Sequence, residues 1–414
     1  PIIFLGAIFA AFSPALLAGG LAFSITRKLL RLSSRLLYPA KRKTARIKGM
    51  LKNIKGDGLV LRMYQEMERS ETSRMLELAN GLSHIRAWYC PTAFWPAFNE
   101  IKAPKLMCVP DVVLSEFPLG FSKAGGERFL QTFKSVETTI NGGDYFVTYS
   151  ENVKWRTLVD RYGVPANRIS VVHHAPNDLS RWVRVSGFTD LATTSSNYSR
   201  SLLAAAFLKS RIGQYVGGFE NNSLSFIFYA SQLRPNKNVV TLLRAYRFLR
   251  GKNSINQKLI ITGDPAGLPE VREYIFRHKL ERDVLCLHGL SIRELAACYK
   301  LVELAVNPSL SEGGCPFTFT EALSVDTPVV MARIPVTEEI LTDPRLQEST
   351  FFDPYDWRDL AGRIEWSLTH RDELLDVQRK TYAELAKRTW ADVVDEHLQI
   401  LDRISQPSTQ AVKQ

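Results

Sequence analysis

Two glutamates on either side of a glycine pair are the residues of this 414-residue chain best placed to do chemistry. Glu312 and Glu321 bracket Gly313 and Gly314; the apolar run 304–307 before them predicts a buried strand, and the pattern after them predicts a helix. Such a loop offers bare backbone N–H groups and a helix N-terminus, which bind anions such as diphosphates. Neighbouring carboxylates can accept hydrogen bonds from sugar hydroxyls. The segment therefore predicts a site for a nucleotide diphosphate that carries a group rich in hydroxyls.

The segment around the glutamates resembles the signature of retaining glycosyltransferases of family 4, which have the GT-B fold. The resemblance is carried by Pro308-Ser309, Glu312-Gly313, Glu321-Ala322 and Thr327-Pro328-Val329-Val330, although the spacing between the glutamates is one residue longer here. It implies that Glu321 binds the ribose hydroxyls and that Glu312, a catalytic candidate, faces the donor sugar. Gly313 and Gly314 would donate backbone hydrogen bonds to the diphosphate or sugar. Without the resemblance, a solvated loop charge and a helix N-terminal charge would also explain the two glutamates.

A pair of cations is predicted to neutralise the diphosphate leaving group. Lys237 and Arg234 follow the first strand of the second domain, and they bind phosphate as a point charge and as a planar fork respectively. Lys237 matches the family's lysine, whereas Gln232 occupies the position of its usual arginine. We therefore expect Arg234 to replace that arginine. Its alternative role is that of a surface residue stacked on Pro235.

Further donor contacts are expected from loops at other strand ends. By the same resemblance, Gly263 and the sequence His288-Gly289-Leu290 would frame the nucleotide base with backbone groups. Gly19 and Gly20 match the N-terminal loop that approaches the donor phosphates from the opposite face of the cleft. These residues complete the predicted donor site.

The acceptor side departs from the family. Members often have a His-Asp pair after the strand that ends here at Val109, but this chain has Pro110 and Asp111. Asp111 therefore stays as the catalytic candidate at the cleft. Either Asp111 or His173 compensates for the missing histidine, or the register differs, or activity is lost.

Alternating strand and helix patterns predict an α/β fold with two Rossmann-like, doubly wound parallel sheets that face a central cleft. Short apolar runs at 84–90, 105–109, 145–149 and 169–174 form the first series, and a second opens at 226–230. The sequence predicts an N-terminal acceptor-side domain at 1–175 and a connection at 176–223 with a helix near 202–212. A nucleotide-sugar-binding domain at 224–375 and C-terminal helices at 376–414, which cross back to the first domain, are predicted to follow.

The N-terminal segment is strongly basic. Eleven Lys and Arg residues precede the first acid, Asp57, and those in 27–55 accompany a leucine-rich pattern. Such a segment favours an anionic membrane surface by about 1 kcal/mol per well-placed cation. A solvated basic helix face is the plain alternative, and no motif indicates nucleic acid. Residues 1–26 are uncharged and are predicted to form a strand, a glycine-containing loop and a helix, with a single membrane span as the alternative.

The five cysteines lack a CxxC pair and the seven histidines lack a ligand spacing, so the sequence indicates a reduced cytosolic protein without a structural metal. The combined expectation is a retaining, metal-independent transferase without a cofactor that moves a sugar, best guessed as mannose from GDP-mannose, to a glycan or lipid-linked acceptor in cell-surface polysaccharide assembly. It would lie peripherally on the inner face of the cell membrane. Alternatives are a UDP- or dTDP-sugar donor, a nucleotide-sugar epimerase, and a non-catalytic protein that binds nucleotide sugar or membrane.

Overall fold

The computed structural model describes residues 58–210, 224–252 and 254–406. Within them, two fully parallel sheets have strand orders β1-β2-β3-β4 and β10-β9-β8-β5-β6-β7. The strands are β1 Trp88–Cys90, β2 Lys105–Cys108, β3 Tyr145–Thr148, β4 Ile169–Val171, β5 Phe226–Tyr229, β6 Lys258–Thr262, β7 Val284–Leu287, β8 Leu304–Asn307, β9 Val329–Ala332 and β10 Phe351–Phe352. The predicted pair of parallel α/β sheets is confirmed.

Helices connect the strands. The α-helices of the described residues are α1 Gly58–Gly81, α2 Val113–Glu116, α3 Pro118–Gly125, α4 Glu127–Asn141, α5 Ser180–Val183, α6 Leu191–Lys209, α7 Val239–Gly251, α8 Pro269–Arg277, α9 Ile292–Leu301, α10 Phe317–Leu323, α11 Pro335–Ile340, α12 Pro344–Thr350, α13 Trp357–Thr369, α14 Arg371–Leu385 and α15 Trp390–Ser405. A π-helical segment, Val153–Val159, follows β3, and 3₁₀ turns cover Pro96–Glu100, Ala166–Arg168, Pro235–Lys237 and Pro265–Gly267. No described helix is both long enough and apolar enough to cross a membrane.

Both faces of the first sheet are covered, which explains the uninterrupted apolar runs of its strands. On one face, Met107 and Phe146 pack with Ile140 of α4. On the other face, Leu106 and Val147 belong to a cluster that includes three residues of the C-terminal helix α15, namely Val393, Ile400 and Ile404. Helix α15 therefore forms part of the layer over the first sheet.

The second sheet is also buried on both faces. Phe228 and Ile260 pack in a core shared with α9 and α10. Ile227 and Leu259 face the opposite core, which is shared with α7 and α13. Because the strands are buried on both sides, all four residues of β5 are apolar or aromatic and at most 1% exposed. This rigid sheet holds the loops at its carboxyl edge in place.

The predicted connection contains more helix than expected. Helix α6 begins eleven residues earlier than the predicted 202–212 segment, at Leu191. It packs against α9, and Lys209 Nζ lies 2.6 Å from Glu294 Oε1. The domain boundaries at 175, 223 and 375 remain predictions. The predicted strand, loop and basic segment within 1–55 lie outside the described residues.

Candidate functional site

Four loops at one edge of the second sheet carry predicted donor residues. Strands β8, β5, β6 and β7 are consecutive neighbours and all parallel, so their carboxyl ends share an edge. Glu312, Lys237, Gly263 and His288 each follow one of these strands. Ligands of open α/β sheets bind outside this edge.

An ion pair joins the loop after β5 to the loop after β8. Lys237 Nζ lies 2.6 Å from Glu312 Oε1, and both side chains are less than one-fifth exposed, at 19% and 17%. The buried side chain of Asn236 donates from Nδ2 to the Ser311 carbonyl at 3.2 Å. The Asn236 carbonyl in turn accepts from Leu310 N at 2.8 Å. These contacts hold a cation and a carboxylate at fixed positions beside the glycine loop.

Arg234 is exposed and lies on the same loop as Lys237. Its Nη2 donates to Gln232 Oε1 at 2.6 Å. Gln232, which occupies the family's usual arginine position, thus forms a hydrogen bond with Arg234, the residue that we expected to replace that arginine.

Asp111 follows β2 of the first sheet, and its Cβ would lie 3.2 Å from a Cβ atom added to Gly313. Its side chain keeps contact with solvent, yet the surrounding protein removes much of its hydration. This loss of hydration raises the pKa of Asp111, and the negative charge of Glu312 raises it further. Lys237 and Arg234 oppose the rise. The charges of Glu312, Lys237 and Arg234 therefore all act on the pKa of Asp111.

The glycine loop lies directly against the first domain. A Cβ atom on Gly313 would lie 1.9 Å from the Pro110 carbonyl oxygen, and one on Gly314 would lie 2.9 Å from His174 Cδ2. Ser150 Oγ donates to the Gly313 carbonyl at 2.9 Å. Within the described residues, the N–H groups of Gly313 and Gly314 make no hydrogen bond. Both glycines are buried and permit this close approach, because neither position has room for a Cβ atom.

Ser150 also caps the helical segment that begins at residue 151, because its Oγ accepts from Val153 N at 3.2 Å. A second cap comes from the other domain. Glu339 of α11 accepts from Glu151 N at 2.8 Å and from Asn152 N at 3.0 Å. Sequence reasoning missed Glu339, since nothing local to it indicates a partner almost 190 positions away.

Glu321 lies on α10, after the loop. Its Oε1 accepts from Asn177 Nδ2 at 3.1 Å. Burial raises the pKa of this carboxyl, and the hydrogen bond from Asn177 opposes the rise. Helix α10, with seven residues, is the helix that the sequence predicted beyond the glycine loop.

The remaining predicted donor residues differ in what they can offer. Gly263 has φ +108 and packs against Leu233, but its N–H already donates to the Leu287 carbonyl at 2.7 Å. His288 and Gly289 are exposed, and Leu290 packs partly against the core of the second domain. Gly19 and Gly20 lie outside the described residues.

A cavity of about 330 Å³ opens beside Glu312 and Ser311. Asn152 and Arg156 of the first domain line it, as does the exposed ring of Tyr355 from the second. Sequence reasoning did not identify these three residues, because no motif contains them. Their polar and aromatic groups nonetheless adjoin the predicted catalytic residues.

Comparisons with known proteins agree with this geometry. Residues 218–386 match the family model of glycosyl transferases group 1. The chain is 26% identical over 187 residues to the serotype-specific mannosyltransferase WbdA of Escherichia coli, which covers 44% of this chain and 22% of WbdA. It is 27% identical over 132 residues to the O-antigen chain mannosyltransferase RfbU of Salmonella typhimurium, which covers 32% of this chain and 36% of RfbU. The chain thus matches only a minor part of each relative's length.

Two crystal structures share the overall fold. One is HepE of Anabaena in complex with UDP and glucose, with a TM-score of 0.56, 18% identity and 81% of each chain covered. The other is a glycosyltransferase of Rickettsia africae, with a TM-score of 0.55, 15% identity, and 86% of this chain and 84% of that chain covered. These likenesses and the two parallel sheets show the GT-B fold.

Proposed function

We propose, because residues 218–386 match the family model of glycosyl transferases group 1, that this chain transfers a sugar from a nucleotide diphosphate donor to a hydroxyl of a glycan or lipid-linked acceptor. The observation that carries the proposal is the ion pair of Lys237 and Glu312 beside the glycine loop, whose N–H groups make no hydrogen bond within the described residues. A fixed cation, backbone donors and a carboxylate are the groups that a site for a diphosphate and a sugar would need, and this supports the proposal. Asp111 of the first domain lies beside this loop, because its Cβ would be 3.2 Å from a Cβ atom added to Gly313.

The donor site follows from these contacts. Lys237 and Arg234 would bind the diphosphate as it departs, together with the N–H groups of Gly313 and Gly314. Glu321, whose second oxygen is not used by Asn177, would accept from the ribose hydroxyls. Preorganised charges of this kind stabilise a departing diphosphate without a covalent nucleophile.

We further propose a retaining reaction that needs no metal ion. The C–O bond between the sugar and the diphosphate breaks, and the acceptor hydroxyl attacks the same face of the oxocarbenium-like sugar. The proton of that hydroxyl passes to the departing phosphate oxygen. Glu312 and Asp111 would position and stabilise the reacting sugar. Support comes from the cations, which can take a metal's electrostatic part, and from the family resemblance.

Mannose from GDP-mannose is the proposed donor pair, because the two sequence relatives described above are named as mannosyltransferases. A UDP-sugar is the alternative, since HepE was crystallised in complex with UDP-glucose. The two candidates differ in both base and sugar, so a donor screen separates them.

The acceptor would enter the cavity of about 330 Å³ beside Glu312. Asn152, Arg156 and Glu116 offer donors and acceptors to sugar hydroxyls, and Tyr355, 78% exposed, offers an aromatic face. We expect the basic segment 27–55 to hold the protein peripherally on the inner face of the cell membrane, where a lipid-linked acceptor would be found. No cofactor is proposed beyond the donor substrate.

The test combines donor binding with product analysis. Thermal unfolding is measured with GDP-mannose, UDP-glucose, UDP-GlcNAc and dTDP-sugars; a ligand at 100 times its Kd stabilises the folded state by about 2.7 kcal/mol. We expect GDP-mannose to raise the Tm, Lys237→Ala to abolish the shift, and the control Lys134→Ala, exposed on α4, to keep it. Binding without sugar transfer to acceptor or water would indicate a non-catalytic protein, and conversion to a new nucleotide sugar would indicate an epimerase. No response to any donor would overturn the proposal.

A further inference from the structure

A second cavity, of about 670 Å³, lies in the outer helical layer of the second domain. Helices α7 and α8 and the start of α13 form it, and it shares no lining residue with the cavity beside Glu312. Four cations line it: Arg244, Arg247, Lys252 and Arg277. This cavity plays no part in the proposed function.

The charge of this cavity is uncompensated. No Asp or Glu lines it, and within the described residues none of its four cations forms an ion pair. Arg250, on the same helix α7, behaves differently, because its guanidinium lies 3.3 Å from Asp283 Oδ1. Like charges on one cavity wall repel each other, so a bound anion would remove an unfavourable interaction.

Aromatic rings complete the walls. Phe248 and Trp357 meet edge to face with centroids 5.2 Å apart, and Lys252 Nζ lies 4.3 Å from the Phe248 centroid. Tyr274 adjoins His278, whose pKa is lowered by burial and by the charges of Arg247 and Arg277. Arginines bind phosphate oxygens through two parallel N–H bonds, and rings beside them reduce competition from water.

We infer that this cavity binds the phosphate groups of a small phosphorylated ligand at a site separate from the donor site. Its concave shape favours a small molecule or a single lipid head group over an extended macromolecule. Arg247 on α7 and Arg277 on α8 would bind the phosphate. Phe248 and Trp357 would contact the rest of the ligand.

The first test uses inorganic pyrophosphate as the probe and Lys237→Ala as the parent protein, so that the donor site contributes little. Calorimetric titration of this parent is compared with the same protein carrying Arg247→Gln and Arg277→Gln. We expect the double substitution to weaken pyrophosphate binding at least tenfold. Arg272→Gln is the matched control, because Arg272 is exposed on α8 but does not line the cavity. Equal affinity in all three proteins, or no binding to the parent, would overturn the inference.

Folding is monitored separately. Because the double substitution removes two like charges from one wall, we expect its Tm without ligand to equal or exceed that of the parent. The inference is wrong if the Tm falls and single Arg247→Gln and Arg277→Gln variants with parental Tm values bind pyrophosphate unchanged.

Two further arms identify the source of the phosphate. Nucleoside diphosphates and sugar phosphates are titrated in solution, and vesicles of phosphatidylglycerol are compared with vesicles of phosphatidylcholine by co-sedimentation. The basic segment 27–55 is present in every variant, so only the difference between parent and double variant reports on the cavity. A loss confined to the soluble ligands indicates a metabolite site, and a loss confined to phosphatidylglycerol indicates a lipid head group. Absence of both losses contradicts the inference.

Discussion

Gly313 lies so close to Pro110 that a Cβ atom added to it would come within 1.9 Å of the proline's carbonyl oxygen. The backbone of the glycine loop therefore touches the backbone of the loop after β2, across the cleft between the two sheets. Ser150 strengthens this contact by donating to the Gly313 carbonyl. The loop that would bind the donor thus also sets how closely the two domains approach each other.

Gly313→Ala tests this contact. The added methyl group cannot fit against a backbone carbonyl, so we expect the domains to separate locally, with a loss of about 1–3 kcal/mol in the free energy of unfolding and at least a tenfold loss of turnover. Denaturant unfolding and transfer rates measure the two effects. Gly362→Ala on α13 is the control, because a Cβ there meets nothing within 4 Å and alanine is favoured in helices by about 1 kcal/mol. Unchanged turnover in Gly313→Ala would show that the observed contact is dispensable.

Glu339→Gln probes the cap that the second domain supplies to the first. The neutral amide has one acceptor oxygen for the two N–H groups and carries no charge at the helix N-terminus, so we expect a destabilisation of about 0.5–1 kcal/mol; Glu339→Ala, which removes both acceptors, should cost about 1–2 kcal/mol. Glu338→Gln is the neighbouring control, because Glu338 pairs with Arg333 at an exposed position and such pairs contribute about 0–1 kcal/mol. Urea denaturation measures the free energy of unfolding of each variant. Equal losses in Glu338→Ala and Glu339→Ala would contradict the capping role of Glu339.

A double-mutant cycle measures the coupling between Lys237 and Glu312. Removing either partner leaves a charge that is mostly shielded from water, so we expect a coupling free energy of about 1–3 kcal/mol in donor affinity or unfolding. The exposed pair Lys387 and Glu384, each about 70% exposed, should couple by less than about 0.5 kcal/mol. Similar values for the two pairs would mean that the site pair is an ordinary surface contact.

Local sequence patterns were sufficient to predict the sheets. Runs such as 226–229 are apolar at every position because both faces of the sheet are covered, and this signal lies within a few residues. The assignment of Lys237 and Glu312 to one donor site came from the family resemblance, and their direct pairing is a finding of the structure.

Contacts across the cleft could not be predicted in this way. Pro110 meets Gly313, and Glu339 meets Glu151, through the packing of two separately folded sheets. Neither pair leaves a periodicity or a motif in the chain. Arg234 illustrates the same limit, because its pairing with Gln232 depends on a loop conformation rather than on spacing.

The raised pKa of Glu321 should make stability and nucleotide affinity respond to pH in opposite directions. Burial raises the pKa of this carboxyl in the folded protein, so the folded state binds its proton more tightly than the unfolded state does. Its contribution to stability is therefore largest in acid and declines as the pH rises from the ordinary glutamate pKa through the raised value. Glu321→Gln should remove this decline, so the variant should gain stability relative to the parent protein as the pH rises.

Nucleotide affinity should change in the other direction. Only the ionised carboxylate offers acceptors on both oxygens, so acidification through the raised pKa should weaken binding of a nucleotide sugar, whose diphosphate keeps its charge in this range. Glu321→Gln should bind about 10- to 100-fold more weakly at neutral pH, as expected for loss of a hydrogen bond to a charged group, with an affinity nearly independent of pH. Unfolding and donor titrations at a series of pH values test both trends. If the pH dependence of affinity in Glu321→Gln matched that of the parent protein, Glu321 would not be the ribose-binding group.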